Sequence, residues 1–211
     1  NMFRQYDQEF GFSPDGRLLQ NEYAGKAASQ GPLVIGITSK SSVILIAQKQ
    51  NSNPLLVSNE SDSINQISTN IYAGVSGLPG DSRTFINNLR TNALNYQSKF
   101  GTECNIQSLV RDSLDSIHPN NMGMQNYGYS RPLGCSFLVA GEHTKLVKGS
   151  TSSGSCTGCF AGAIGTGAEA AELYLTDHFQ KELSEESAQQ LAIDALHNVY
   201  PDAQYMIKIV K

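Results

Sequence analysis

The sequence has 211 residues, of which 39% are apolar and 16% charged, and its formal net charge is −4. This length suits one sizeable domain, and the acidic balance gives no electrostatic basis for binding nucleic acid or an anionic membrane. The longest apolar runs are far too short to span a bilayer, and no signal segment is visible. Four scattered cysteines do not make a disulfide scaffold in such a chain, so we expect free thiols in a reducing compartment.

A short helix is predicted between Phe12 and Gly31, after a polar arm of about a dozen residues that contains several aromatics. Ser13 suits an N-cap and Pro14 suits the first helical position, where its missing N–H costs nothing. Gly31 followed by Pro32 is a stop signal. The apolar residues that form one stripe on this helix are Leu19, Tyr23 and Ala27, with Ala24 and Ala28 beside them. We expect this stripe to be buried.

Two periodicities divide the rest of the chain into strands and helices. Strand-like runs lie at 33–39, 42–48, 71–75, 135–140, 145–148, 157–164 and 204–210. Helical spacing lies at 86–100, 106–117, 166–180 and in a segment capped by Ser184. Clustered strands and paired helices favour antiparallel sheets covered by helices over alternating βαβ units. The order predicts an α+β fold, a four-layer α-β-β-α sandwich, with residues 1–12 as an arm and 13–211 as one domain.

Three local patterns have simple structural explanations. Cys156 and Cys159 make half of a zinc site, but residues three apart on a strand face opposite sides, so we interpret them as small apolar side chains. The glycines at 162, 165 and 167 indicate close strand-to-helix packing more than phosphate binding. Glu169 and Glu172 are predicted on a solvated helix face. The residues predict neither a metal nor a cofactor.

Four segments resemble motifs of the alpha-type subunits of the 20S proteasome. The most specific is FSPDGRLLQNEYAGKAA at 12–28, followed in the family's order by SGLPGDSR at 76–83, RPLGCSF at 131–137 and AIGTG at 163–167. This resemblance implies the same α-β-β-α sandwich, the fold of N-terminal nucleophile hydrolases. It also implies a non-catalytic place in an outer seven-membered ring of a four-ring barrel, whose inner beta rings cut peptides with an N-terminal threonine.

The residues offer no such nucleophile. The chemistry needs a hydroxyl on residue 1, whose own amine acts as base, and Asn1 has none. By resemblance, the catalytic threonine, aspartate and lysine of beta subunits fall at Pro32, near Gln48 and near Ser63, so all three roles are vacant. The alternative is a stand-alone amidohydrolase of the same fold. The missing nucleophile and the helix upstream of Pro32 count against that alternative.

The resemblance places function in the arm and the first helix. Residues that take part in gating and ring contacts in the family correspond to Tyr6, Asp7, Pro14 and Tyr23 here. Seven arms would either cross-pack over the pore or lift away when an activator docks. The sequence departs from the family at Gln8, where an arginine is usual, and the spacing from Tyr6 to Pro14 is one residue shorter than is typical.

The resemblance also implies the partners. These are neighbouring alpha subunits in a seven-membered ring, beta-ring subunits, C-terminal tails of activators or regulatory particles, and unfolded protein substrates of the ubiquitin-dependent pathway, in the cytoplasm and nucleus. The position of the pocket lysine that commonly binds a tail carboxylate is Ser63, so we expect this pocket to lack its charge partner. FSPDGR and GCSF resemble the seventh alpha type, whereas the missing lysine would suit the first. The chain ends at Lys211, earlier than most alpha subunits.

Overall fold

The computed structural model describes residues 12–49, 55, 63–117, 131–141 and 144–211. Tyr6, Asp7 and Gln8 lie outside the described residues, as does most of the loop expected before Arg131. The helices within these ranges are α1 (Leu19–Ala28), α2 (Pro79–Phe100), α3 (Ile106–Ile117), α4 (Ala168–His178) and α5 (Glu185–Val199). The strands are β1 (Val34–Thr38), β2 (Val43–Gln48), β3 (Ile64–Gln66), β4 (Tyr72–Gly77), β5 (Cys135–Gly141), β6 (Lys145–Ser150), β7 (Ser155–Cys159), β8 (Ala161–Ile164) and β9 (Tyr205–Val210).

Two antiparallel sheets pack face to face and each carries a pair of helices on its outer side. The four-stranded sheet has the order β8-β1-β2-β9 and the five-stranded sheet the order β3-β4-β5-β6-β7. An apolar cluster fills the space between the sheets, including Val34, Leu45, Leu138, Leu146 and Ile164. A second cluster joins the four-stranded sheet to α4 and α5, and a third joins the five-stranded sheet to α2 and α3. The predicted α-β-β-α sandwich is therefore confirmed.

The hairpin between β1 and β2 shows how side chains replace the strongest turn dipeptides. Thr38 pairs with Val43, so Lys40 and Ser41 lie at the tip of the turn, as predicted. The Ser39 hydroxyl accepts from the N–H of Ser42 at 3.0 Å and donates to its carbonyl at 2.9 Å. Every residue of β1 is buried because both faces of its sheet are covered.

The predicted run 157–164 is in fact two strands in different sheets. β7 pairs with β6, whereas β8 pairs with β1, and the chain crosses between the sheets at Phe160. The Phe160 carbonyl accepts from the N–H and the hydroxyl of Thr38, which fixes the crossing. The run consists mostly of small residues, so its pattern gave no face preference that could reveal the change of sheet.

Three further boundaries follow from local chemistry. α2 begins at Pro79, earlier than the predicted Ile86, because its first turn buries small polar residues instead of an apolar stripe. Ser184 caps α5 as predicted, accepting from the N–H of Ser187 at 3.1 Å. β3 was not predicted, since it has three residues and pairs only with β4. None of the described helices is long and apolar enough to cross a membrane.

Candidate functional site

The segment before α1 forms a separate turn, not the start of the helix. The N–H of Gly16 donates to the Ser13 carbonyl at 2.8 Å, and the N–H of Arg17 donates to the Ser13 hydroxyl at 3.0 Å. Serine, proline and glycine at the first, second and fourth positions are typical of a type I turn. The predictions that Ser13 caps the helix and that Pro14 begins it are therefore wrong. α1 begins at Leu19, and its N-cap, Leu18, makes no side-chain cap.

α1 faces the sheet with its smallest residues. Ala24 and Ala28 are buried, whereas Tyr23 is 48% exposed, so the predicted burial of Tyr23 is wrong. Two stripes of residues on this helix have the same spacing, and the stripe of small side chains is the one that packs against the sheet. A Cβ atom on Gly134 would lie 3.1 Å from the Cβ of Ala27, and one on Gly77 would lie 3.0 Å from the Cα of Ala28. The helix thus lies directly on the ends of β4 and β5.

A forked ion pair joins the turn to α1. Arg17 donates to both carboxylate oxygens of Glu22, at 2.9 Å from Nε and 2.5 Å from Nη2. These hydrogen bonds hold the pKa of Glu22 below its usual value. Pro14 is exposed at the tip of this turn. Of the predicted gate residues, the structure thus places Pro14 and Tyr23 on the turn and on the helix that follows it.

A second forked ion pair holds the loop before β5, against which α1 lies, and the sequence did not reveal it. Arg131 donates to Asp81 through Nη1 at 2.7 Å and Nη2 at 2.9 Å, and the N–H of Gly134 donates to the same carboxylate at 2.7 Å. Burial by itself would raise the pKa of Asp81, but the hydrogen bonds from Arg131 and Gly134 hold it below its usual value. Asp81 lies in SGLPGDSR and Arg131 in RPLGCSF. The two motifs are therefore in contact in the folded chain. Their joint occurrence in the family was the one signal that could have predicted this ion pair.

The chain entering β1 is fixed from both sides. The Gly31 carbonyl accepts from the N–H and the hydroxyl of Thr166, at 2.9 and 3.0 Å, and the Pro32 carbonyl accepts from the Ser76 hydroxyl at 2.7 Å. A Cβ atom on Gly165 would lie 2.2 Å from the Pro32 carbonyl oxygen. Gly165 is therefore closely packed, but against the backbone that leads into β1 and not between a strand and a helix as predicted. Pro32 is an internal residue held in place, not a free terminus.

The three positions that by resemblance correspond to beta-subunit catalytic residues are linked through hydrogen bonds of their neighbours at this end of the sandwich. Gln48 pairs with Leu33, next to Pro32, through a backbone hydrogen bond of 2.9 Å. The Ser63 carbonyl accepts from the N–H of Val75 at 2.7 Å, beside the Ser76 that binds Pro32, and Ser63 is 8% exposed. A proline, an amide and a buried serine supply neither an N-terminal amine nor a nucleophile activated by it. The residues at these positions therefore do not supply the chemistry of an N-terminal nucleophile.

The remaining candidate residues have structural roles. Cys156 packs against the cluster under α2 and α3, and Cys159 against the cluster between the sheets, which confirms that they face opposite sides. Burial raises the pKa of Cys159 and that of Cys135 to about 11, so these thiols stay protonated and unreactive. Within the described ranges, no three His, Cys, Asp or Glu residues are grouped to hold a metal ion.

Glu172 was predicted to lie on a solvated helix face, but in the structure its side chain contacts both sheets. It accepts from the N–H of Ala163 at 3.0 Å, on the open edge of β8, and it forms an ion pair with Lys148 on β6. Glu172 therefore ties α4 to both sheets, while Glu169 is exposed as predicted.

Comparisons with known proteins agree with this geometry. A family model described as Proteasome subunit matches residues 28–210. The probable proteasome subunit alpha type-5 of Schizosaccharomyces pombe is 33% identical over 192 residues, covering 89% of this chain and 78% of that protein. The proteasome subunit alpha type-4 of Petunia hybrida is 33% identical over 200 residues, covering 92% and 79%. The proteasome subunit alpha of Thermococcus onnurineus is 33% identical over 186 residues, covering 88% and 70%. The chain belongs to the proteasome subunit family.

These relatives are alpha-type subunits, so the predicted alpha-type membership is confirmed. Alpha-type proteasome subunits are non-catalytic, in agreement with the proline at the nucleophile position. This proteasome subunit assembles with other proteasome subunits in a ring and takes part in protein degradation. Types 4 and 5 match it at the same identity, and the proposed seventh or first position in the ring stays a prediction.

Proposed function

We propose that this alpha-type subunit is part of the gate of the proteasome outer ring, with residues 1–12 as the gate arm. The observation that supports this proposal is the exposure of two residues in the turn and helix that follow the arm. α1 is seated firmly on β4 and β5, yet Pro14 is exposed and Tyr23 is 48% exposed. A tyrosine needed only for the core would be buried, whereas a half-exposed ring on a fixed helix suits contacts with an arm or a neighbouring subunit.

The mechanism is a switch between two states. In the closed state, Tyr6 and Asp7 of this arm pack with the arms of neighbouring alpha subunits over the pore and exclude unfolded protein substrates. In the open state, the arms lift away and rest near Pro14 and Tyr23. An activator that binds only the open state shifts the population by its difference in affinity for the two states.

Activator tails dock beside Ser63 in this proposal, and beta-ring subunits contact the opposite side of the ring. Ser63 offers no cation for a tail carboxylate, so the pocket at this subunit binds tails more weakly than one with lysine. The four cysteines are free thiols, which supports a reducing compartment such as the cytoplasm and nucleus. Both are the settings in which a ubiquitin-dependent proteasome would act.

The test uses the assembled particle without any activator. Deletion of residues 1–9, or Tyr6→Ala, is expected to raise basal hydrolysis of a short fluorogenic peptide several-fold, because one gap in the closed arm layer opens a path to the inner chamber. Gln8→Arg, which restores the residue usual in the family, is the matched variant and is expected to leave hydrolysis at or below the wild-type rate. Unchanged hydrolysis after deletion, with particle yield equal on a native gel, would show that this arm is not part of the gate.

A further inference from the structure

Asp81, Arg131, Leu78 and Gly134 form a continuous set of polar contacts, here called the polar brace, beside the start of β5. Asp81 lies in the first turn of α2 and accepts from the N–H of Gly134 at 2.7 Å. The Gly134 carbonyl in turn accepts from the N–H of Leu78 at 3.0 Å. Gly134 is therefore fixed through both of its backbone polar groups. Arg131 completes the brace by holding the Asp81 carboxylate in a two-point fork.

Gly134 is also the point on which α1 rests. A Cβ atom there would lie 3.1 Å from the Cβ of Ala27 and 3.4 Å from the carbonyl oxygen of Ala24. With no side chain between them, a shift of the Gly134 backbone passes directly to the helix. The height of α1 above the sheet is therefore set by the same residue that Asp81 holds.

The ion pair is poorly placed to add stability, which favours a positional role. The Asp81 side chain is 10% exposed but that of Arg131 is 52% exposed. Half-exposed pairs contribute little to stability because solvent screens them, and removing a charge from water offsets much of the attraction. A planar guanidinium fork, by contrast, fixes the orientation of the carboxylate in a way that a single contact does not.

We propose that Asp81 and Arg131 are positioning residues of the gate, which act through Gly134 to fix α1 and so the path of the arm that leads into it. This inference rests on the proposed gating function. It assigns a role to two residues that belong neither to the arm nor to the turn before α1, and it gives a reason for the contact between the motifs that contain them.

The experiment measures basal hydrolysis of a short peptide by assembled particles that carry Asp81→Asn or Arg131→Lys. Arg131→Lys keeps the charge but removes the fork, so it guards against a variant that fails to fold. Each is expected to raise basal hydrolysis by about threefold, since a modest loss of arm order shifts the closed population only partly. Glu172→Gln is the matched control. It removes another ion pair whose carboxylate also accepts a hydrogen bond from a backbone N–H. The partners of Glu172 lie on β6 and β8 and not on β4 or β5, so this variant should not change basal hydrolysis.

Deletion of residues 1–9 separates the possible outcomes. If Asp81 acts through the arm, Asp81→Asn adds nothing in the deletion background. An increase that persists in that background, or no increase in the presence of the arm while the deletion alone raises hydrolysis, overturns this inference and leaves the proposed gate intact. A deletion without effect overturns the gate itself, and the inference with it.

Discussion

Helices α1 and α5 both cover a sheet, but they are held in different ways. α5 buries a continuous stripe of Ala188, Ala192, Ala195 and Leu196 against β1 and β2, and Ser184 caps its first turn. α1 buries only two alanines, lacks a side-chain cap and lies against glycines. A helix held by apolar area tolerates small shifts, whereas one held by close backbone contact is placed by its neighbours. In the proposed gate, α1 is therefore the element through which distant residues would adjust the arm.

The largest loss of stability is expected when a side chain is added to a glycine that contacts α1. Gly77 has φ +123, and a Cβ atom there would lie 2.3 Å from the Gly134 carbonyl oxygen. Gly77→Ala should lower the free energy of unfolding by about 4 kcal/mol, from backbone strain together with overpacking. Denaturant unfolding measures this loss. Gly80→Ala is the control, because a Cβ atom there meets nothing within 4 Å and alanine favours a helix. A similar loss for both variants would contradict the close backbone contacts at Gly77.

Cutting back the apolar face of α5 should have the next largest effect. Leu196 is fully buried, so Leu196→Ala is expected to cost about 3 kcal/mol through lost burial and the cavity left behind. Tyr23→Ala on α1 should cost less than about 1 kcal/mol, since half of that side chain is already in solvent. Comparable losses in thermal or denaturant unfolding would mean that Tyr23 is a core residue after all.

The two serines that precede the helices provide a smaller contrast. Ser184→Ala removes a helix cap and should lower stability by about 1 kcal/mol. Ser13→Ala removes a bond within an exposed turn and should change unfolding by less than about half that amount. Unfolding curves of both variants test the contrast, and a larger effect at Ser13 than at Ser184 would contradict it.

The smallest expected effect concerns acid. The pKa of Asp81 lies below its unfolded-state value of about 3.8. The stabilisation from its ionised form is therefore fully present above that value, and it is lost as the pH falls through the lower pKa of the folded state. As the pH is lowered below about 5, the free energy of unfolding should fall more steeply for the wild type than for Asp81→Asn. Parallel pH profiles would show that the carboxylate is not held by Arg131.

The same contrast explains how much the sequence could predict. The helix over 106–117, the Ser184 cap and the β1–β2 hairpin follow from apolar spacing and local turn chemistry, and all were predicted. The burial of Tyr23 was not predicted correctly, because spacing shows that a stripe exists but not which size of residue the sheet accepts. The change of sheet at Phe160 has no local signal either.

The candidate site divides in the same way. The vacancy at Pro32, Gln48 and Ser63 follows from residue identity alone, since no arrangement gives proline a nucleophilic hydroxyl. The contact of Asp81 with Arg131 spans a sequence separation of 50 residues and depends on the order of strands in the sheet. The residues that position α1 therefore emerge only from the folded chain.

A density map of the assembled, activator-free particle would test the gating account most directly. We expect α1 to rest on Gly134 above the Asp81–Arg131 pair, with the chain before Ser13 directed across the ring toward its central axis, where Tyr6 and Asp7 contact neighbouring arms. A map in which residues 1–12 run outward over the side of the ring, leaving the pore uncovered at this subunit, would contradict the account.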